Sequence, residues 1–232
     1  MKKIGFIVFA VAIIIGVAFS SLFSIGRLTG RIFNFSISHN VKGSGNMASE
    51  TRDASGFNAV DVGGVFQVEI VTQKDFSVQV YADDNLLHHI KTEVDGDVLK
   101  IESDKGLKSS SPIRIRISAP NIERINASGA AKVTMADVKN ESIDVDASGA
   151  ATIALAGETA KLTIDVSGAS NIDAENLTAE SANVAASGAS HASVNVNEVL
   201  RSGASGASRV TYTGSPKSVQ KNVTGASSIS QK

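Results

Sequence analysis

Three aspartates, Asp144, Asp146 and Asp165, have the spacing that comes closest to that of a reactive acidic pair. Asp146 and Asp165 are 19 residues apart, which matches the repeat described below, so we expect them to stack on adjacent coils. Paired carboxylates could hydrolyse a glycosidic bond or bind Ca²⁺. We favour a solvated acidic stripe, because the sequence lacks the Asp-rich loops that supply the oxygen ligands of calcium.

The four histidines do not form a metal-binding pattern. His88 and His89 are adjacent and would point apart in a strand, whereas His39 and His191 are isolated in the sequence. The chain contains no cysteine, which excludes disulfides and thiolate metal sites. Its serines lack a nucleophile elbow, and its glycines lack the lysine of a phosphate-binding loop. The sequence therefore predicts no catalytic residues, no metal site and no cofactor.

The overall charge argues against a nucleic-acid partner. The formal net charge is -1 and the isoelectric point is about 6.4. Lysines and arginines are scattered along the chain, so no basic field is expected to attract a phosphate backbone.

The N-terminal part of the sequence predicts export. Ile4 to Gly26 is a run of 23 residues without a charge, which as a helix would extend roughly 35 Å. We expect residues 1–26 to be an uncleaved transmembrane signal anchor, with a cleaved signal peptide as the alternative. Either segment would send the rest of the chain to the periplasm or the cell surface. Residues 27–55, rich in Gly, Ser and charge, predict a spacer.

Residues 56–120 predict a series of short β strands. Stretches such as "VFQVEIVT", "FSVQVYA" and "IRIRISAP" alternate apolar with polar side chains, which is typical of half-buried strands. Asp95-Gly96-Asp97 separates two of these stretches and predicts a tight turn. One helical turn is expected around "DDNLLHHIK".

Residues 121–232 contain a tripeptide, Ser-Gly-Ala with Thr in place of Ser in the last copy, that recurs about every 19 to 20 residues. A fixed period of this length predicts a solenoid, with one repeat per coil. The structural repeat positions are Ser128, Gly129, Ser148, Gly149, Ser167, Gly168, Ser187, Gly188, Ser205, Gly206, Thr224 and Gly225.

Apolar residues keep a constant phase relative to this tripeptide. Three residues before each start stand Ile125, Val145, Ile164 and Val184, followed by Ser202 and Lys221 in the last two coils. These positions predict inward-facing columns whose apolar character decreases toward the C-terminus. The recurrent glycine predicts a corner that needs positive φ or a close approach of neighbouring backbones. The fold class is therefore all-β, a single-stranded β-helix-like solenoid.

The stretches "FNAVDVGGVFQVEIV", "VDGDVLKIE", "IRIRISAPNIERINASGAA" and the recurrent "SGAS" resemble a known bacterial family. From Phe57 to about Ser228 the chain is similar to the auto-transporter adhesin head GIN domain. The resemblance implies that residues 56–232 form one β-helix-like GIN domain in the cell envelope. It implies no reaction and no functional residue.

We therefore expect an exported, membrane-anchored binding or structural module of the envelope, which is adhesin-like and not an enzyme. Its partners would be the membrane, through residues 1–26, and an unknown protein or polysaccharide. One alternative is a scaffold that self-associates into a homo-oligomer through the strand edges at the solenoid ends. A second alternative is a carbohydrate-active β-helix enzyme that uses Asp146 and Asp165.

Overall fold

The structure, a computed structural model, describes residues 40–232. The expected signal anchor at residues 1–26 and the first part of the expected spacer lie outside the described residues. Among residues 40–232, no helix is both long enough and apolar enough to cross a bilayer.

Residues 40–232 are almost entirely β structure, as the sequence predicts. The one helical element in this range is a 3-10 turn at Leu87–His89, within the expected helical stretch. The strands are β1 (Val41–Lys42), β2 (Met47–Arg52), β3 (Ala59–Gly64), β4 (Gln67–Val71), β5 (Ser77–Asp83), β6 (Ile90–Asp95), β7 (Val98–Ser103), β8 (Leu107–Lys108), β9 (Arg114–Ser118), β10 (Arg124–Gly129), β11 (Lys132–Ala147), β12 (Thr152–Val166), β13 (Asn171–Ala186), β14 (His191–Ala204), β15 (Arg209–Thr213), β16 (Ser218–Val223) and β17 (Ser228–Gln231).

The repeat region is a solenoid of parallel coils, which confirms the predicted β-helix-like fold. Each of β11, β12, β13 and β14 passes round a bend and contributes to two faces. The Arg201 face consists of β6, β7, β3, β10, the C-terminal halves of β11 to β14, and β16. The His191 face consists of β2, β5, β9, β4, the N-terminal halves of β11 to β14, β15 and β17.

Inward-facing side chains form continuous columns between these faces. Ile125, Val145, Ile164 and Val184 occupy equivalent positions on successive strands and are all buried. The column continues with buried Ser202 and exposed Lys221. Stacking in register buries apolar area without large aromatic side chains, which this chain has few of.

The strands between residues 56 and 120 belong to the same solenoid and are not a separate module. β3 pairs in parallel with β10, and β4 pairs in parallel with β11, so both continue the faces of the repeat coils. β7 and β9 then extend these faces by one coil, on β3 and β4 respectively. Antiparallel strands β5, β2 and β6 complete this end of the solenoid.

Part of the stretch expected to be a spacer is ordered β structure, which corrects that expectation. Met47–Arg52 forms β2, an edge strand antiparallel to β5, and Val41–Lys42 forms β1, which pairs with β8. The strand was missed because its register places Glu50 and Arg52 opposite the buried residues of β5. These two charged side chains form an ion pair of 3.0 Å. Charged residues at inward positions are a common protection of an edge strand.

The glycines of the repeat lie at the corners between the two faces. Gly129, Gly149, Gly168, Gly188, Gly206 and Gly225 all have φ between 70° and 76°. The amide after each glycine donates to the glycine carbonyl of the preceding coil, for example from Ala169 to Gly149 at 2.7 Å. A Cβ on Gly168 would lie 2.5 Å from that carbonyl oxygen, so neighbouring corners approach too closely for any side chain.

Candidate functional site

Two columns of outward side chains run along the Arg201 face. The first column comprises Arg124, Asp144, Thr163, Asn183, Arg201 and Gln220, and the second comprises Asn126, Asp146, Asp165, Ala185, Gly203 and Asn222. Strand pairing spaces the members of a column by about 4.8 Å. The face therefore presents two parallel rows of side chains, and these rows change in charge from coil to coil.

The three aspartates of the predicted acidic stripe lie together on this face. Asp146 and Asp165 are direct neighbours on β11 and β12, as their spacing predicts, and Asp144 lies beside them in the first column. The pKa of Asp146 is raised above its ordinary value, because partial burial disfavours the carboxylate and Asp165 and Asp144 repel it. Arg124 acts in the opposite direction. Among residues 40–232, no group of three or more His, Cys, Asp or Glu side chains is placed to hold a metal ion.

A shallow depression lies immediately C-terminal to this acidic stripe. In the second column Ala185 and Gly203 follow Asp165, so two successive positions carry almost no side chain. A void of about 500 Å³ lies on the side of the first column, and a void of about 240 Å³ lies on the side of the Ser-Gly-Ala corner. The voids share Asp165, Ala185, Gly203 and Asn222, so together they form one open depression.

Polar side chains border the depression on all sides. Asp165 and Asn222 close its two ends within the second column. The other outward-facing border residues are Thr163, Asn183, Arg201 and Gln220 along the first column, and Ser187, Ser205 and Thr224 along the corner, whereas Lys221 of the inward column also lines the larger void. Three strand spacings separate Asp165 from Asn222, which amounts to about 14 Å. This length accommodates a short oligosaccharide or an extended peptide.

Most of these polar groups have no intramolecular partner. Within the described part of the chain, the side chains of Asn183, Arg201, Gln220 and Asn222 make no hydrogen bond or ion pair. An arginine presents five donors, and each amide presents donors and an acceptor. Because these groups converge on one depression, they can bind a ligand rich in hydroxyl or carboxylate groups.

None of the described residues that line the depression is aromatic. The chain has two tyrosines, and both lie elsewhere. Tyr81 lies under the guanidinium of Arg116 at 5.2 Å, and Tyr212 lies under the ammonium of Lys221 at 4.8 Å. Any ligand in the depression must therefore be held by hydrogen bonds and charge and not by ring stacking.

The Ser-Gly-Ala residues form an exposed ridge, and part of this ridge borders the depression. Ser187, Ser205 and Thr224 line the smaller void. The serine that follows the tripeptide points inward instead. Ser190 and Ser208 are buried and donate to main-chain carbonyls of Val166 and Ala186, at 3.3 and 3.1 Å.

The described histidines lie apart from the depression. His89 is 2.9 Å from Asp104, and its ring lies 3.9 Å from that of His88. His191 is on the other face, where its Nε2 lies 3.1 Å from the Ser193 hydroxyl. His39 lies outside the described residues.

Sequence reasoning missed the residues that border the depression. The repeat does contain a sequence pattern that indicates the depression. Ala185 and Gly203 occupy the repeat position at which earlier coils carry Asn126, Asp146 and Asp165. A side chain that disappears from an outward column for two coils predicts a depression in the face.

The fold and this open polar face define a class, the all-β solenoid with a ligand-sized surface depression. Comparison with known proteins then gives the family. The family "Putative auto-transporter adhesin, head GIN domain" matches residues 56–216. The chain belongs to this family, as the sequence resemblance predicts. A search of curated protein sequences found no significant match.

Several solved structures share the fold. A "putative adhesin" from Bacteroides fragilis superimposes with a TM-score of 0.68 at 20% identity, covering 83% of this chain and 100% of its own. A "putative adhesin" from Parabacteroides distasonis has a TM-score of 0.52 at 19% identity, covering 84% and 100%. A "putative lipid binding protein" from the same species has a TM-score of 0.50 at 19% identity, again covering 84% and 100%. At these identities the likeness shows the fold alone.

Proposed function

We propose that this protein is an exported binding module of the cell envelope that attaches to a surface polysaccharide through the depression on the Arg201 face. The observation that carries the proposal is the set of unpartnered polar side chains around Ala185 and Gly203. The family description and the names of two structural relatives point to adhesion. Residues 1–26 would hold the protein in the membrane.

A polysaccharide suits this site better than a folded protein partner does. The depression is shallow, polar and elongated along the solenoid axis, so several sugar units of an extended polymer can lie across the coils. Each sugar unit of the polymer would make only a few hydrogen bonds, so the affinity would depend on the sum of the contacts that successive sugar units make. Asp165 and the amides can accept and donate hydrogen bonds to sugar hydroxyls.

Filling the depression tests the proposal. A Cβ added to Gly203 would meet no atom within 4 Å, and the φ of this residue is not positive, so Gly203→Gln should fold normally. The long side chain would occupy the space above Ala185. Asn126→Gln is the matched control, because it lies in the same column four strands away.

The assay is binding of the full-length chain, in mild detergent, to an array of bacterial and host polysaccharides. We expect Gly203→Gln to abolish binding that the wild type and Asn126→Gln retain. Equal binding by all three proteins would refute the depression as the ligand site.

Self-association is the second candidate function, and one observation favours it. Val219 and Val223 occupy inward positions of β16 yet are 37% and 45% exposed. Their neighbour Lys221 also points inward and would oppose apolar pairing with another strand edge. Light scattering across a wide concentration range tests this candidate, which requires oligomers that grow with concentration and are lost in Val219→Thr.

A further inference from the structure

Two cationic residues line the depression among the described residues, Arg201 and Lys221. The ammonium of Lys221 is engaged with the Tyr212 ring and the Ile229 carbonyl, so Arg201 is the cation whose position specifies the chemistry of the ligand. Resting on the proposed function, we infer that the ligand is a carboxylated polysaccharide, such as a polymer of uronic acids, and that Arg201 binds its carboxylate. The inference rests on the surroundings of the guanidinium, the shape of the adjacent floor and the position of the acidic stripe.

The guanidinium of Arg201 is available to a ligand. Arg201 is exposed, and it forms no ion pair or hydrogen bond with the residues that the structure describes. Two other arginines of the solenoid are engaged within the protein, since Arg116 contacts Glu69 at 3.0 Å and Arg52 contacts Glu50. A planar guanidinium fits the two oxygens of a carboxylate in a bidentate pair, which is stronger and more directional than a neutral hydrogen bond.

The floor beside Arg201 leaves room for that carboxylate. Gly203 is two residues further along the same strand, on the same side of the sheet. Ala185 is its neighbour on β13. A sugar ring lying over these two residues can therefore present its carboxyl group to Arg201 without displacing a side chain.

The neighbours of Arg201 match the remaining groups of a sugar ring. Asn183 and Gln220 flank it on the adjacent strands, each about 4.8 Å away along the column. Both amides can donate and accept, which suits hydroxyl groups on either side of a carboxylate.

The acidic stripe sets the direction in which the ligand lies. Asp165 closes one end of the depression, and Asp146 and Asp144 lie just beyond it. Their charge repels a second carboxylate at that end, whereas Asp165 can accept hydrogen bonds from hydroxyls. The arrangement favours a polymer whose carboxylates are separated by uncharged positions.

A neutral polymer lacks the interaction that this site can provide best. The depression has no aromatic ring on which a sugar could stack, so the charge-assisted pair with Arg201 is the strongest single contact available. We therefore expect a carboxylated polymer to bind more tightly than its neutral ester. A sulfate ester carries the same unit charge, but its terminal oxygens are arranged tetrahedrally and not in the plane of a carboxylate.

The test compares polygalacturonate with its methyl ester, using the full-length chain in mild detergent at low salt. Loss of one charge-assisted pair should weaken binding about tenfold to a hundredfold. We expect that difference between the acid and the ester for the wild type. Arg201→Gln should remove the preference, and Arg201→Lys should retain part of it. Arg209→Gln is the control, since Arg209 is an exposed arginine on the His191 face.

The outcomes separate this inference from the proposed function. Equal binding of the acid and the ester, or equal effects of Arg201→Gln and Arg209→Gln, would overturn the inference even if Gly203→Gln abolishes binding. Tighter binding of a sulfated dextran with one sulfate per sugar than of polygalacturonate would also overturn it. Failure of Gly203→Gln to affect any polymer would instead overturn the proposed function. Urea unfolding of each variant shows whether a loss of binding reflects loss of the fold.

Discussion

Substitution of Gly168 by alanine should strongly destabilise the solenoid. Gly168 has a φ of 70°, and a Cβ at this position would lie 2.5 Å from the carbonyl oxygen and 3.0 Å from the amide nitrogen of Gly149. Both atoms belong to the main chain of the preceding coil, so no side-chain rotation can relieve the contact. The coils themselves would have to separate.

Three physical terms determine the size of the effect. An alanine with positive φ is strained by roughly 1–2 kcal/mol, and overpacking against a rigid neighbour adds about 1–3 kcal/mol. Reduced freedom of the unfolded chain offsets about 0.4–1 kcal/mol of this. We therefore expect Gly168→Ala to lower the free energy of unfolding by about 1–5 kcal/mol, a large part of the total stability of a domain.

Two other glycines separate these terms. Gly96 also has positive φ, but nothing lies within 4 Å of its Cβ position, so Gly96→Ala should show the strain alone. Gly203 has neither positive φ nor a close neighbour, so Gly203→Ala should be stabilising by up to about 1 kcal/mol.

Urea unfolding followed by circular dichroism measures all three variants. From the most to the least stable protein, the expected order is Gly203→Ala, wild type, Gly96→Ala and Gly168→Ala. If Gly168→Ala is no less stable than Gly96→Ala, close approach of the coils is not the reason for the recurrent glycine.

Three smaller perturbations test other parts of the structure. Because the pKa of Asp146 is raised in the folded state, the free energy of unfolding should increase as pH falls through that pKa. Asp146→Asn should remove this dependence in urea unfolding and, since solvent screens the exposed charges, should stabilise the protein at pH 7 by at most about 1 kcal/mol; a loss of stability would contradict the prediction. Asp83→Ala should lower the free energy of unfolding by about 2–4 kcal/mol, because the buried carboxylate accepts hydrogen bonds from the Ser109 hydroxyl at 2.6 Å and from the Gly45 amide at 3.1 Å. Urea unfolding measures the loss, and an unchanged stability would show that these hydrogen bonds contribute little. Ser190→Ala should lower the free energy of unfolding by about 0.5–1.5 kcal/mol, because the buried Ser190 hydroxyl donates to the Val166 carbonyl at 3.3 Å. Ser187→Ala, at the exposed corner, is the control, and an equal loss of stability in the two variants would contradict the prediction.

The repeat coils could be predicted from the sequence because their pairing is local. A period near 19 residues places each apolar residue beside its equivalent in the next coil, and the columns through Ile125, Val145 and Ile164 are observed as predicted. The stacking of Asp146 on Asp165 follows from the same spacing.

The N-terminal coils could not be predicted in the same way. β3 and β4 pair with β10 and β11, more than 60 residues later, while β7 and β9 occupy the next position outward. Gly64 lies at the corner below Gly129, yet its surrounding sequence, Gly63-Gly64, lacks the repeated tripeptide. Pairing over such separations depends on the whole fold and leaves little local pattern.

The candidate site was hidden for a different reason. Arg201 and Asn183 are ordinary surface residues in the sequence, and their significance comes from having no partner, among the residues that the structure describes, beside an empty floor. The sequence shows which residues share a column, but it does not show which of them are paired.

Protection of a single thiol by ligand tests the central claim most directly. The chain contains no cysteine, so Gly203→Cys and Asn126→Cys each introduce one unique reactive group. The rate of modification by a small thiol reagent is measured for each full-length variant, with and without polygalacturonate. Binding in the depression predicts that the polymer slows modification at position 203 several-fold and leaves position 126 unchanged. Equal rates at position 203 with and without bound polymer would contradict the account.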